Sequence, residues 1–115
     1  MKPTLKLKKD NQILIQQVDL ALSFTQRAKG LIGKDKIEEN NSLFIKRCNL
    51  IHTFFMKFPI DCVFVDETLQ IKGLRKNVQP WTFAGCLKAT AVFELKAGQV
   101  EVLNLRIGDY LHVGH

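Results

Sequence analysis

The sequence predicts a single, mostly β domain of the α+β class, a curled sheet or small barrel with one or two short helices. Three observations lead there. Strand-length segments that alternate or run apolar fill most of the chain. Helical spacing of apolar residues shows only between residues 24 and 32 and again near 99 to 104. The 115 residues, with no repeat, linker or low-complexity tract, suit one domain (residues 1–115) whose core needs no metal or disulfide.

Residues 3 to 8 and 13 to 18 read as two strands, and "KDNQ" between them supplies turn residues, so the chain opens on a hairpin. Lys6 and Lys8 alternate with Leu5 and Leu7 and share one solvated face, where lysines guard an edge strand against pairing with other chains. The period then changes. Ser23 and Gln26 have capping-box spacing, and Phe24, Ala28, Leu31 and Ile32 recur at helical intervals. Gly30 and Gly33 loosen and end that helix, and "KDKIEENNS" is a polar loop.

From residue 43 onward strands dominate: "LFIKR", "LIHTFFMK", "IDCVFVD", "LQIKGLRKNV", "ATAVFEL" and "YLHV". "QPWTFAGCLK" reads as a loop, "QVEVLNLRI" after Gly98 as one or two helical turns, and Gly108-Asp109 as a turn. Within 51 to 58, His52, Phe54, Met56 and Phe58 point one way on a strand, and Ile51, Thr53, Phe55 and Lys57 the other. Both faces are largely apolar, which predicts a central strand bent or bulged at Pro59.

Hydrophobic residues at 46% and charged residues at 24% are those of a folded soluble protein. No apolar run approaches the roughly 18 residues of a membrane span, and the N-terminus lacks the apolar block of a secretory signal. The expected location is therefore cytoplasmic, with no membrane partner. The three cysteines, Cys48, Cys62 and Cys86, imply no disulfide framework, and Cys48 with His52 lacks the second ligand pair of a zinc site. No metal or other cofactor is expected. The net charge of +6 and pI near 9.4 raise a nucleic-acid partner. Against that partner, much of the excess crowds the first strand, and one Trp and one Tyr leave few stacking platforms.

The segments "RAKGLIG" (27–33), "SLFI" (42–45), "IHTFFMKFPIDCVFVD" (51–66), "PW" (80–81), "AVFELKAG" (91–98) and "LRIGDYL" (105–111) resemble, in this order, domain of unknown function 192, a prokaryotic family. The resemblance covers about residues 13 to 113, with Ile32 where the family usually has Met, a mild swap of core-sized residues. It implies a compact, mostly β fold and no established activity.

Five residues are candidates for binding: Arg27, His52, Lys57, Asp61 and Trp81. Asp61, set in an apolar run just after Pro59, needs a partner to be tolerated. The expected partners are Arg27, whose planar fork suits a carboxylate, or backbone N–H groups at the bend, on the rim of a concavity. His52 is more often a core or rim histidine than a ligand, and Trp81 after Pro80 either covers the core or rims a pocket. His52 and Asp61 do not form a catalytic dyad: on a strand they lie about 30 Å apart and face opposite sides. Cys86 and Asp109 read as loop and turn residues. Three functions follow: a non-catalytic accessory or binding module for a small molecule or protein; a small enzyme using Asp61 or His52; and a nucleic-acid binder using the basic N-terminal strand with Lys72, Arg75 and Lys76. The first leads, because no nucleophile–base arrangement is legible.

Overall fold

The computed structural model describes residues 5–21 and 34–115, so the helix expected at 24 to 32 and Arg27 lie outside the described residues. Asp10 and Asn11 adopt the left-handed backbone (φ 50° and 65°) that a two-residue hairpin turn demands. They join β1 (Leu5–Lys9) to β2 (Gln12–Ala21). The further strands are β3 (Asn41–Lys46), β4 (Leu50–His52), β5 (Ile60–Val65), β6 (Ile71–Val78), β7 (Phe83–Gly85), β8 (Ala91–Lys96) and β9 (His112–Gly114). Between β8 and β9 lies one helical turn, α1 (Gln99–Val102), entered through Gly98 at φ 97°.

The main sheet runs β6-β5-β8-β3-β2-β1-β9, antiparallel except for the parallel β2–β3 pair. It is curled but unclosed. Among the described residues its two ends meet at one corner, where the Ile71 N–H donates to the Asp109 carbonyl at 2.8 Å and the Leu111 N–H to the Leu69 carbonyl at 2.9 Å. β4 and β7 form a separate two-stranded sheet.

β3, β5 and β8, at the middle of the main sheet, bury both faces, as strands covered on two sides must. Phe44, Val63, Phe93 and Leu95 join Leu7, Ile15, Ile71, Val100 and Leu111 in one cluster. Because that cluster draws on strands from both ends of the sheet, it lies on the inside of the curl, with Phe44 and Phe93 stacked at 4.2 Å. Ile45, Ile60, Cys62, Phe64 and Val92 form the other cluster with Ile51, Met56 and Ala84, so the β4–β7 layer covers the outer face. Gly73 in β6 admits that layer: a Cβ there would sit 2.9 Å from the Cys86 sulfur.

Three expectations are corrected. β1 is not an edge strand, since it pairs with both β2 and β9; Lys6 and Lys8 are half-buried within the sheet. The segment 51 to 58 is not a central strand. Only Leu50–His52 is extended, in the small outer sheet, and residues 53 to 59 form turns and bends. Apolar content there serves the outer layer and a surface rather than a sheet interior. Within "QPWTFAGCLK", expected as a loop, Phe83–Gly85 pairs with β4.

Candidate functional site

Thr53, fully buried, fastens the turn after β4 to the turn before β7. Its N–H donates to the Thr82 carbonyl at 2.9 Å, and its own carbonyl accepts the Met56 N–H at 3.2 Å and the Trp81 N–H at 3.1 Å. Its hydroxyl donates to the Gln79 carbonyl at 2.6 Å and accepts the Thr82 N–H at 2.9 Å. Held this way, Phe55 and Trp81 sit at φ 68° and 63°. For bulky side chains that region is strained, by about 1–3 kcal/mol each.

Both rings face outward. Phe55 and Trp81 lie 4.6 Å apart, centroid to centroid, with 63% and 59% of their surfaces exposed. Phe54 sits half-buried between neighbours, 5.4 Å from Trp81, 5.0 Å from Phe83 and 4.5 Å from His52. Phe83 and Leu50 are themselves exposed, at 59% and 58%. Together these residues make an aromatic ledge across the outer sheet, an apolar patch of a kind that marks interaction surfaces.

His52 belongs to the ledge as a positioning residue. Its Nδ1 accepts the Phe54 N–H at 3.2 Å, which places the proton of a neutral imidazole on Nε2, and its ring lies over Phe54 and edge-on to Phe83. The fold thus joins two of the expected residues, His52 and Trp81, through Phe54. Lys57 is exposed and pairs with Asp35 at 3.7 Å between two solvated groups, a contact of small energy.

Asp61 is elsewhere. It is fully buried on the inner face of β5, the floor of a shallow cavity of about 340 Å³ beside Asn77, Gly98 and Glu101. One carboxylate oxygen accepts the Asn77 N–H at 2.8 Å; the other accepts those of Gly98 and Val100, each at 3.0 Å. The donors are backbone N–H groups, as expected, but they belong to β6 and the entry to α1 rather than to the bend after Pro59. Asp61 therefore caps α1 and ties it to the sheet, and none of these contacts orients His52. Glu94 is a second fully buried carboxylate, on the outer face of β8.

Two partly exposed carboxyls are held below the usual carboxylate range. At Asp66 the Thr68 hydroxyl is the main cause, aided by the Gln70 and Thr68 N–H groups and by Lys72. At Asp109 the leading cause is the Lys9 ammonium, 2.8 Å away, with the Arg106 N–H at 2.9 Å. Asp109 thus makes the expected turn and also fastens β1 to it. Lys72 and Lys76, named above for a nucleic-acid binder, pair with Asp66 at 3.6 Å and Glu101 at 3.1 Å. None of the three cysteines forms a disulfide. Among the described residues no cluster of three His, Cys, Asp or Glu side chains could hold a metal ion, and no helix is long and apolar enough to cross a membrane.

Phe54, Phe55 and Phe83 were not singled out by the sequence reading. The signal that finds them is the paired threonines of "HTFF" and "PWTF", each flanked by aromatics.

Comparison with known proteins matches this chain to a family. The model of domain of unknown function 192, described as an uncharacterised ACR, matches residues 5–113. No curated protein matches the chain. Among solved structures, a protein of Sinorhizobium meliloti 1021, provisionally described as a transcription regulator, superposes with a TM-score of 0.80 at 22% identity, covering 95% of this chain and 91% of that one. A protein of unknown function from Novosphingobium aromaticivorans DSM 12444 gives 0.80 at 18% identity, covering 95% and 83%. At such identities the likeness is one of fold.

Proposed function

This chain belongs to domain of unknown function 192, and from that premise we propose that it is a non-catalytic binding module whose aromatic ledge receives an apolar segment of a protein partner. The observation that carries this reading is the pair of strained, outward rings at Phe55 and Trp81. A fold that needed them only for packing would bury them; here the backbone is held in an unfavourable region while both rings face solvent. Trp and other aromatics in such patches dominate protein interfaces. The ledge is open, its outer rings more than half exposed, whereas small molecules favour clefts that enclose most of their surface. The ledge offers π faces and apolar area rather than an acid–base pair, since the Nδ1 of His52 is turned to the backbone and Asp61 lies in the other layer. A nucleic-acid partner is less well supported, because Lys9, Lys72 and Lys76 are engaged by carboxylates.

The test is selection from a random-peptide display library on the folded protein. The peptides expected are apolar or aromatic, and Phe55→Ala and Trp81→Ala should each weaken them by about tenfold or more, the scale of an interface hot spot. Peptides that bind both variants as well as the parent would rule the ledge out.

A further inference from the structure

We propose that the inside of the curl holds a second site, for a dissolved single-chain amphiphile bearing one carboxylate. A cavity of about 640 Å³ opens there, lined by Leu5, Leu20, Phe44, Leu69, Ala91 and Val113, a size at which proteins take small ligands. Strand register explains why the described side chains leave it open. One row across the inner face is Leu20, Phe44, Phe93, Val63 and Leu74, paired strand to strand. The next row outward is Lys46, Ala91, Val65 and Ile71. Ala91 contributes only a methyl group and Lys46 extends to solvent, so this end of the second row leaves an opening beside Phe44. Leu20 is left 43% exposed at the opening.

The charges at the mouth select the occupant. Lys46 and Arg47 lie on the lip formed by the end of β3, and neither has an ion-pair partner among the described residues. On the opposite lip Asp66 is neutralised by Lys72 and held by Thr68 and Gln70. Glu67 is the remaining carboxylate there, so the mouth keeps one net positive charge. An apolar chain would lie on Leu20, Phe44 and Ala91, and its carboxylate would meet the Lys46 and Arg47 side chains as charge-assisted hydrogen bonds. The outer-face ledge residues Phe54, Trp81 and Phe83 are not among those lining this cavity.

Calorimetric titration with decanoate, below the concentration at which it forms micelles, tests the site. One decanoate per chain is expected to bind saturably, with decanol and decyltrimethylammonium at least about tenfold weaker because they lack the anion. Leu20→Trp, at an exposed position where folding is not at stake, should block the opening, and the double variant Lys46→Glu/Arg47→Glu should weaken decanoate by about tenfold or more. Absence of decanoate binding, equal binding of decanol, or full binding by Leu20→Trp would each overturn the proposal.

Discussion

Thr53 and Thr82 exchange two hydrogen bonds of 2.9 Å each, one from the Thr53 N–H to the Thr82 carbonyl and one from the Thr82 N–H to the Thr53 hydroxyl. This exchange carries Phe55 and Trp81 on a common support. Thr53→Val keeps the shape of the side chain but strands the Thr82 N–H and the Gln79 carbonyl, at about 1–3 kcal/mol for each group left unsatisfied. Thr53→Ser keeps the hydroxyl and should cost about 1 kcal/mol or less. Urea unfolding of the two variants decides it; a larger loss in Thr53→Ser than in Thr53→Val would mean that the methyl group, not the hydroxyl, is what matters.

Asp61 satisfies three buried N–H groups from Asn77, Gly98 and Val100. Asp61→Ala should destabilise the protein by about 3–5 kcal/mol, since each stranded donor keeps its desolvation cost. Asp61→Asn should recover little, because its amide sets N–H groups against N–H groups. His52→Ala should lose packing on Phe54 and the acceptor of the Phe54 N–H, about 1–2 kcal/mol together, and the double variant should be additive within about 0.5 kcal/mol. Strong coupling in that cycle would show that His52 and Asp61 act together after all.

Acid should weaken the fold through Asp66 and Asp109. Both carboxyls are held below the ordinary value of 3.8, so the unfolded chain takes up their protons first. Their contribution is complete well above that value and is lost as pH falls through it toward their lower folded values. Urea midpoints measured from about pH 6 to about pH 3 should therefore decline in the acid limb. Lys9→Met, which removes the leading cause at Asp109, should flatten that limb. An unchanged slope in Lys9→Met would show that the Lys9–Asp109 contact is not formed in solution.

The strand framework was legible because alternation and turn chemistry are local: "KDNQ" became the Asp10-Asn11 turn, and the helical turn at Gln99–Val102 was visible after Gly98. What was not legible depends on partners distant in sequence. An apolar run looks the same whether it lies inside a sheet or folds into turns, so nothing in residues 51 to 58 announced that Thr82 would capture Thr53 and turn Phe55 outward. Asp61 announced its need for donors, but the donors come from residues 16 to 39 positions away. Lys6 and Lys8 suited an edge strand, and only β9, from the far end of the chain, makes β1 internal.

Trp81 gives up little by being replaced if it is there for display. Trp81→Asn puts a residue that tolerates the left-handed region at φ 63°, relieving strain while losing the contacts with Phe54 and Phe55. The two effects are each about 1 kcal/mol and opposed, so stability should change by about 1 kcal/mol or less. A loss of about 3 kcal/mol or more, as for a core aromatic, would make Trp81 a packing residue.

The most direct measurement uses Trp81 as its own reporter, since it is the single tryptophan of the chain. Its emission is to be followed while the protein is titrated with a display-selected, tryptophan-free peptide. If the ledge is the binding face, the exposed indole passes from water to an apolar contact, and its emission shifts to the blue with the same midpoint as binding. A peptide that saturates the protein while the emission stays that of a solvent-exposed tryptophan would contradict the account.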